Sequence, residues 1–82
     1  MLNSYYAEIM DIQSDNEIVR YGYTFRDRNM REAKLHAVDV CRQMEAVPLP
    51  SVWRISFADY QRLAEKYTLP TPIPWGLVDE EA

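Results

Sequence analysis

One stretch, Glu17 to Met44 (EIVRYGYTFRDRNMREAKLHAVDVCRQM), narrows the possible folds more than any other, because its apolar period changes partway along. Val19, Tyr21, Tyr23 and Phe25 alternate with Ile18, Arg20, Gly22 and Thr24, which is the pattern of a strand with one buried face. Beyond Arg28, Met30, Ala33, Ala37, Val38, Val40, Cys41 and Met44 recur at the spacing of one helix face. A strand that feeds an amphipathic helix predicts a small α+β domain.

The flanking residues extend that reading. Ser4 to Ile12 is a first strand, with Tyr6, Glu8, Met10 and Ile12 on one face and Tyr5, Ala7, Ile9 and Asp11 on the other. Gln13-Ser14-Asp15-Asn16 is polar turn chemistry between two apolar runs and predicts a hairpin, with Asp15 or Asn16 supplying any left-handed backbone position. Asn29 followed by Glu32 resembles a capping box and starts the helix, which should run to about Glu45, before Pro48. Val47 to Pro50 is a connector. Val52 to Ile55 reads as a third strand with Trp53 and Ile55 on one face. Ser56 with Asp59 opens a second, short helix whose stripe is Phe57, Tyr60, Ala64 and Tyr67. Prolines at 70, 72 and 74 make the remainder extended, and Trp75 and Leu77 suggest that it docks. The expected architecture is β-β-α-β-α: a three-stranded antiparallel sheet in order 2-1-3, one main helix on one face, and a proline-rich tail. Residues 1–69 form the domain and 70–82 the tail. Gly22, between two tyrosines in mid-strand, marks a bulge or a close approach by another backbone, of which the bulge is the commoner.

Composition limits the function. Eighty-two residues allow one domain, burying only about 60–65% of the unfolded surface. No apolar run approaches the roughly 20 residues of a membrane span, the amino terminus lacks signal-peptide blocks, and one cysteine excludes an internal disulfide. These features predict a cytoplasmic protein with no membrane partner. The net charge of −4 divides into −4 over residues 1–19, +3 over 20–42 and −3 over 43–82. A basic centre thus lies between acidic ends, and a general nucleic-acid binder is disfavoured.

No constellation for catalysis, metal or cofactor is present. His36 is the sole histidine, with Asp39 as its local partner, and Cys41 falls inside the apolar stripe as a small hydrophobe. The two glycines stand apart, so no phosphate loop can form. An enzyme is not expected, nor any cofactor or metal. Tyr5, Tyr21 and Tyr23 on the hairpin are the candidate anchors for a partner, provided one sheet face is open. Arg28 and Arg31 at the helix start, with Arg26 and Lys34, form a candidate basic corner, and Trp75 is the candidate contact on the tail. If Trp75 instead closes the domain's own core, truncation at Thr71 should destabilise the fold.

The best-supported class is a non-catalytic protein-binding module. A nucleic-acid-binding domain using the tyrosine sheet and the basic corner ranks second. A hairpin leading into a single helix (YGYTFRDRNMREAKLHAVDVCRQM), in a short acidic chain, resembles small accessory proteins of bacteriophages and prophages. Among these it is similar in build to anti-CRISPR and other host-defence inhibitors. That resemblance implies a stoichiometric inhibitor of a host protein or nucleoprotein complex, and the −4 and −3 terminal segments raise the further expectation that the acidic ends mimic nucleic-acid charge. A homodimer is the other expected assembly, because a short sheet leaves edges to cover.

Overall fold

The computed structural model describes residues 1–73. Its elements run β1 (Asn3–Ile12), β2 (Ile18–Asp27), α1 (Met30–Gln43), β3 (Ser51–Ile55), α2 (Phe57–Ala64) and β4 (Thr71–Pro72). The fold is α+β, with four antiparallel strands in one open sheet of order β3-β1-β2-β4 and two helices. The expected order 2-1-3 is contained within it. The fourth strand was not anticipated: the start of the proline-rich segment joins the edge of β2, with Thr71 opposite Gly22 and Pro72 opposite Tyr21.

β1 and β2 pair over their whole length, from Asn3 opposite Asp27 to Ile12 opposite Ile18. The turn between them places Asn16 at φ 66°, the left-handed position that Asn tolerates. Odd-numbered residues of both strands face α1. Tyr5, Ala7, Ile9, Tyr23 and Phe25 are buried there against Ala33, Ala37 and Cys41, with Tyr21, Met30, Val40, Met44 and Val52 packed around them. Ala7, Ala33, Ala37 and Cys41 are wholly inaccessible. Small residues along this line let the helix lie close to the sheet while the aromatic rings fill the flanks.

Both predicted caps form. The Asn29 side chain accepts from the N–H of Glu32 at 2.9 Å, and the Ser56 hydroxyl accepts from the N–H of Asp59 at 3.1 Å. α1 ends in a Schellman arrangement, in which Ala46 N–H donates to Cys41 O at 2.9 Å and Glu45 N–H to Arg42 O at 3.1 Å. This arrangement holds Glu45 at φ 57°. A residue with a side chain is disfavoured in that region, and nothing in the sequence marks the position with glycine.

Gly22 is not at a bulge. It pairs regularly opposite Glu8, and its missing side chain makes room instead. A Cβ there would stand 2.6 Å from the Tyr6 hydroxyl oxygen and 3.0 Å from Ile73 Cδ1. Close approach from the back of the sheet, opposite α1, therefore explains the glycine.

Two substitutions check these local assignments by urea unfolding. Glu45→Gly should stabilise the protein by about 0.5–1 kcal/mol, because it relieves the left-handed strain at an exposed site. Gly22→Ala should cost about 1–3 kcal/mol, since the Tyr6 ring must shift off its place.

Candidate functional site

The sheet has two unlike faces. On the front, α1 covers the tyrosines named as anchors. Tyr5 is 1% and Tyr23 3% exposed, and Tyr21 is half-buried at the margin. Tyr5 and Phe25 stack at 5.7 Å between ring centroids, Tyr23 and Phe25 at 5.1 Å. Tyr5 and Tyr23 are core and offer no surface for a partner to touch, whereas Tyr21 keeps part of its side chain accessible. The correction has a plain cause: period-two alternation identifies two faces but not which one the helix will take, and aromatic residues lie on both.

His36 closes the rim of this core. Its ring meets Phe25 edge-on at 4.5 Å, and Asp39 is 3.9 Å from Arg42 rather than partnering the histidine. The Tyr23 hydroxyl is buried without a hydrogen-bond partner among the described residues. Burial first, then the nearby Cys41, pushes its ionisation well above the ordinary tyrosine range. Burial likewise raises the Cys41 thiol above its ordinary value, which leaves it a poor nucleophile.

The basic corner is divided. Arg26 lies on β2 and points to the back face, where its guanidinium sits 5.0 Å from the Phe57 ring centroid and 5.9 Å from that of Tyr60. It holds α2 against the sheet. Arg28 and Arg31 are both exposed, and Arg31 shares a shallow depression on α1 with Met30, Lys34, Leu35 and Val38. Trp75 lies outside the described residues.

The back face carries the surface that sequence reasoning passed over. α2 and the segment after it cover one half. There the Tyr67 carbonyl accepts from both the N–H of Thr24 (2.7 Å) and its hydroxyl (3.0 Å). Tyr67 also meets Tyr6 edge-on at 6.3 Å. Tyr6 in turn stacks on Trp53 at 5.8 Å and donates its hydroxyl to Glu8 at 3.0 Å. Burial and the adjacent Glu8 carboxylate push the Tyr6 phenol upward, so it stays a donor.

Among the described residues nothing covers the other half. Trp53 is 46% exposed, Met10 38% and Ile12 55%, on neighbouring strands. Ile18 lies opposite Ile12, and Leu49, 79% exposed, completes the strip. Glu8, Met10, Arg20, Leu49, Ser51 and Trp53 line a shallow hollow of about 220 Å³ within it. β3 forms the sheet edge beside this hollow, with no strand on its outer side among the described residues. The signal was present in the chain: Tyr6, Met10 and Ile12 share a period with Trp53 across the β1–β3 register.

Among the described residues no group of three or more histidine, cysteine or acidic side chains could hold a metal, and no helix is long and apolar enough to cross a membrane. An edge strand supplies unpaired N–H and C=O groups, and the hollow beside it supplies an apolar seat.

If the Tyr23 hydroxyl is unpartnered, Tyr23→Phe should raise the unfolding free energy by about 1 kcal/mol in urea titration. A loss of stability would mean that the hydroxyl has a partner. Comparison with protein-family models, with curated proteins and with solved structures found no match to this chain.

Proposed function

We propose that the chain is a non-catalytic protein-binding module, acting in the cytoplasm as a stoichiometric inhibitor of a host protein or nucleoprotein complex. The observation that carries the binding role is the open edge of β3 beside Trp53, Met10 and Leu49. A partner segment in extended conformation adds to β3, takes its backbone bonds from the edge, and sets an apolar side chain against Trp53. Trp53 is the anchor because it is large, rigid and already ordered by its stack on Tyr6. The inhibitory role and the host target follow from the resemblance to phage accessory proteins. Exposed Arg28 and Arg31, on the helix side, are secondary contacts in this reading.

Capture from a nuclease-treated bacterial lysate tests it, with the retained protein quantified against bait. Wild type should retain one partner in near-equal molar amount. Trp53→Lys should weaken that capture by about thirtyfold or more, the scale of an aromatic hot spot. The same change should cost at most about 1.5 kcal/mol of stability, the value of one aromatic pair. Leu35→Lys, on the far side of the molecule, should leave capture unchanged. Retention that disappears with nuclease would overturn the reading in favour of a nucleic-acid-binding domain. Loss of capture at high salt, with Trp53→Lys harmless, would assign the contact to the acidic ends instead.

A further inference from the structure

Strand register gathers a second set of polar groups at the other end of the sheet. Ser4 of β1 lies opposite Arg26 of β2 on one side and opposite Ile55 of β3 on the other. Arg54 and the Ser56 cap of α2 close the same end. Ser4, Arg26, Arg54, Ser56 and Phe57 thereby line one hollow of about 460 Å³, which shares no residue with the hollow at Trp53. The charges in it are uncompensated. Arg26 Nη2 donates to the Leu2 carbonyl at 2.9 Å and Arg54 Nη2 to Asn3 Oδ1 at 3.1 Å, both neutral acceptors. Among the described residues neither guanidinium forms an ion pair, whereas Arg42 and Arg62 are paired with Asp39 and Asp59. Stacking on Phe57 and Tyr60 orders the Arg26 fork without neutralising it. The chain has 13 acidic residues, yet none of them lines this hollow.

Two further observations point the same way. Ser4 is only 4% exposed, and the little of it that is accessible opens into the hollow. Its hydroxyl has no hydrogen-bond partner among the described residues, and a polar group so placed is costly to leave unbonded. At the start of α2, the N–H groups of Phe57 and Ala58 are also without an acceptor among the described residues. Asp59, the acid of that turn, is already held by Arg62 at 2.8 Å.

We propose that Arg26, Arg54 and the Ser4 hydroxyl form a binding site for a phosphoryl group, carried as a phosphate monoester or as free phosphate. Donors that converge from three strands and a helix start suit a tetrahedral group with three free oxygens, whereas one guanidinium fork would satisfy a planar carboxylate. A nucleic-acid backbone fits less well. It presents a row of phosphates, and here a single hollow lies on a chain of net charge −4. The site stands independently of the partner reading, whose seat is at Trp53.

Nuclear magnetic resonance titration of the full chain tests it, at an ionic strength held constant with sodium chloride. Inorganic phosphate and N-acetyl-phosphoserine amide should each shift the Arg26 and Arg54 Nε–H signals and the Ser4 and Phe57 amides along saturable curves. Acetate should bind the same signals about tenfold more weakly or not at all. Arg54→Gln should weaken phosphate binding by about tenfold, the loss of one charged fork. Ser4→Ala should weaken it several-fold and leave the urea midpoint unchanged, because the hydroxyl has no partner in the fold to lose. Tighter binding of the phosphoserine probe would identify a phosphorylated side chain as the source, and tighter binding of inorganic phosphate a free ion. Shifts that do not saturate, acetate bound as tightly as phosphate, or undiminished affinity in Arg54→Gln and Ser4→Ala would each overturn the site. A lowered urea midpoint in Ser4→Ala would overturn it too, by giving the hydroxyl a partner within the fold. So would a single-stranded oligonucleotide bound more tightly than either phosphate with shifts spreading to Arg28 and Arg31, which would assign the surface to nucleic acid.

Discussion

The unbroken pairing of β1 with β2 is the constraint on which the rest depends. Because side chains alternate strictly, the ten-residue register from Asn3–Asp27 to Ile12–Ile18 decides at once which residues meet α1 and which face away. A slip of β2 by one position would bring Arg20 and Arg26 beneath the helix and turn Tyr23 and Phe25 away from it. Burying those charges without partners would cost several kcal/mol each, more than a domain of this size has to spare. The line of Ala33, Ala37 and Cys41 reinforces the choice, since a helix seated this closely leaves no room for long polar side chains.

From that register follows a back face of two halves. α2 has only eight residues, and its buried follow-on, Tyr67, is tied to Thr24 near one end of the sheet. Arg26 holds the start of the helix by its stack on Phe57. Tyr6 marks the boundary: its ring fits only because Gly22 lacks a side chain, and it touches the covered half through Tyr67 and the open half through Trp53. One glycine thus serves the core, the cover and the exposed strip together.

Local chemistry was the legible part of the sequence. Asn29 and Ser56 as caps, Asn16 as the left-handed turn residue and the apolar stripe of α1 are each decided within a few residues, where propensity and hydrogen bonding act. What escaped was decided at long range. Whether Tyr5 or Tyr6 would lie under the helix depends on packing between elements far apart in the chain, and both faces of β1 look apolar. Gly22 is required by residues 16 positions before it and 51 after it, which no local pattern records. Arg26 belonged by sequence to a basic corner and by strand parity to the opposite side. The aromatic count pointed to the hairpin, whereas among the described residues Trp53 and Phe57 are the large aromatics with exposed rings, and both belong to later elements.

The bare edge at β3 also decides which associations can coexist. A sheet that can accept a strand on both sides is able to polymerise, and many small β proteins need charged edges to avoid it. Among the described residues β3 is bare along its outer side, while β4 covers Tyr21 and Gly22 on the opposite edge. Two molecules meeting edge to edge at β3 would form an isologous pair and consume that bare side of each. A molecule engaged with a different protein at β3 has the same edge occupied, so the two kinds of association exclude one another.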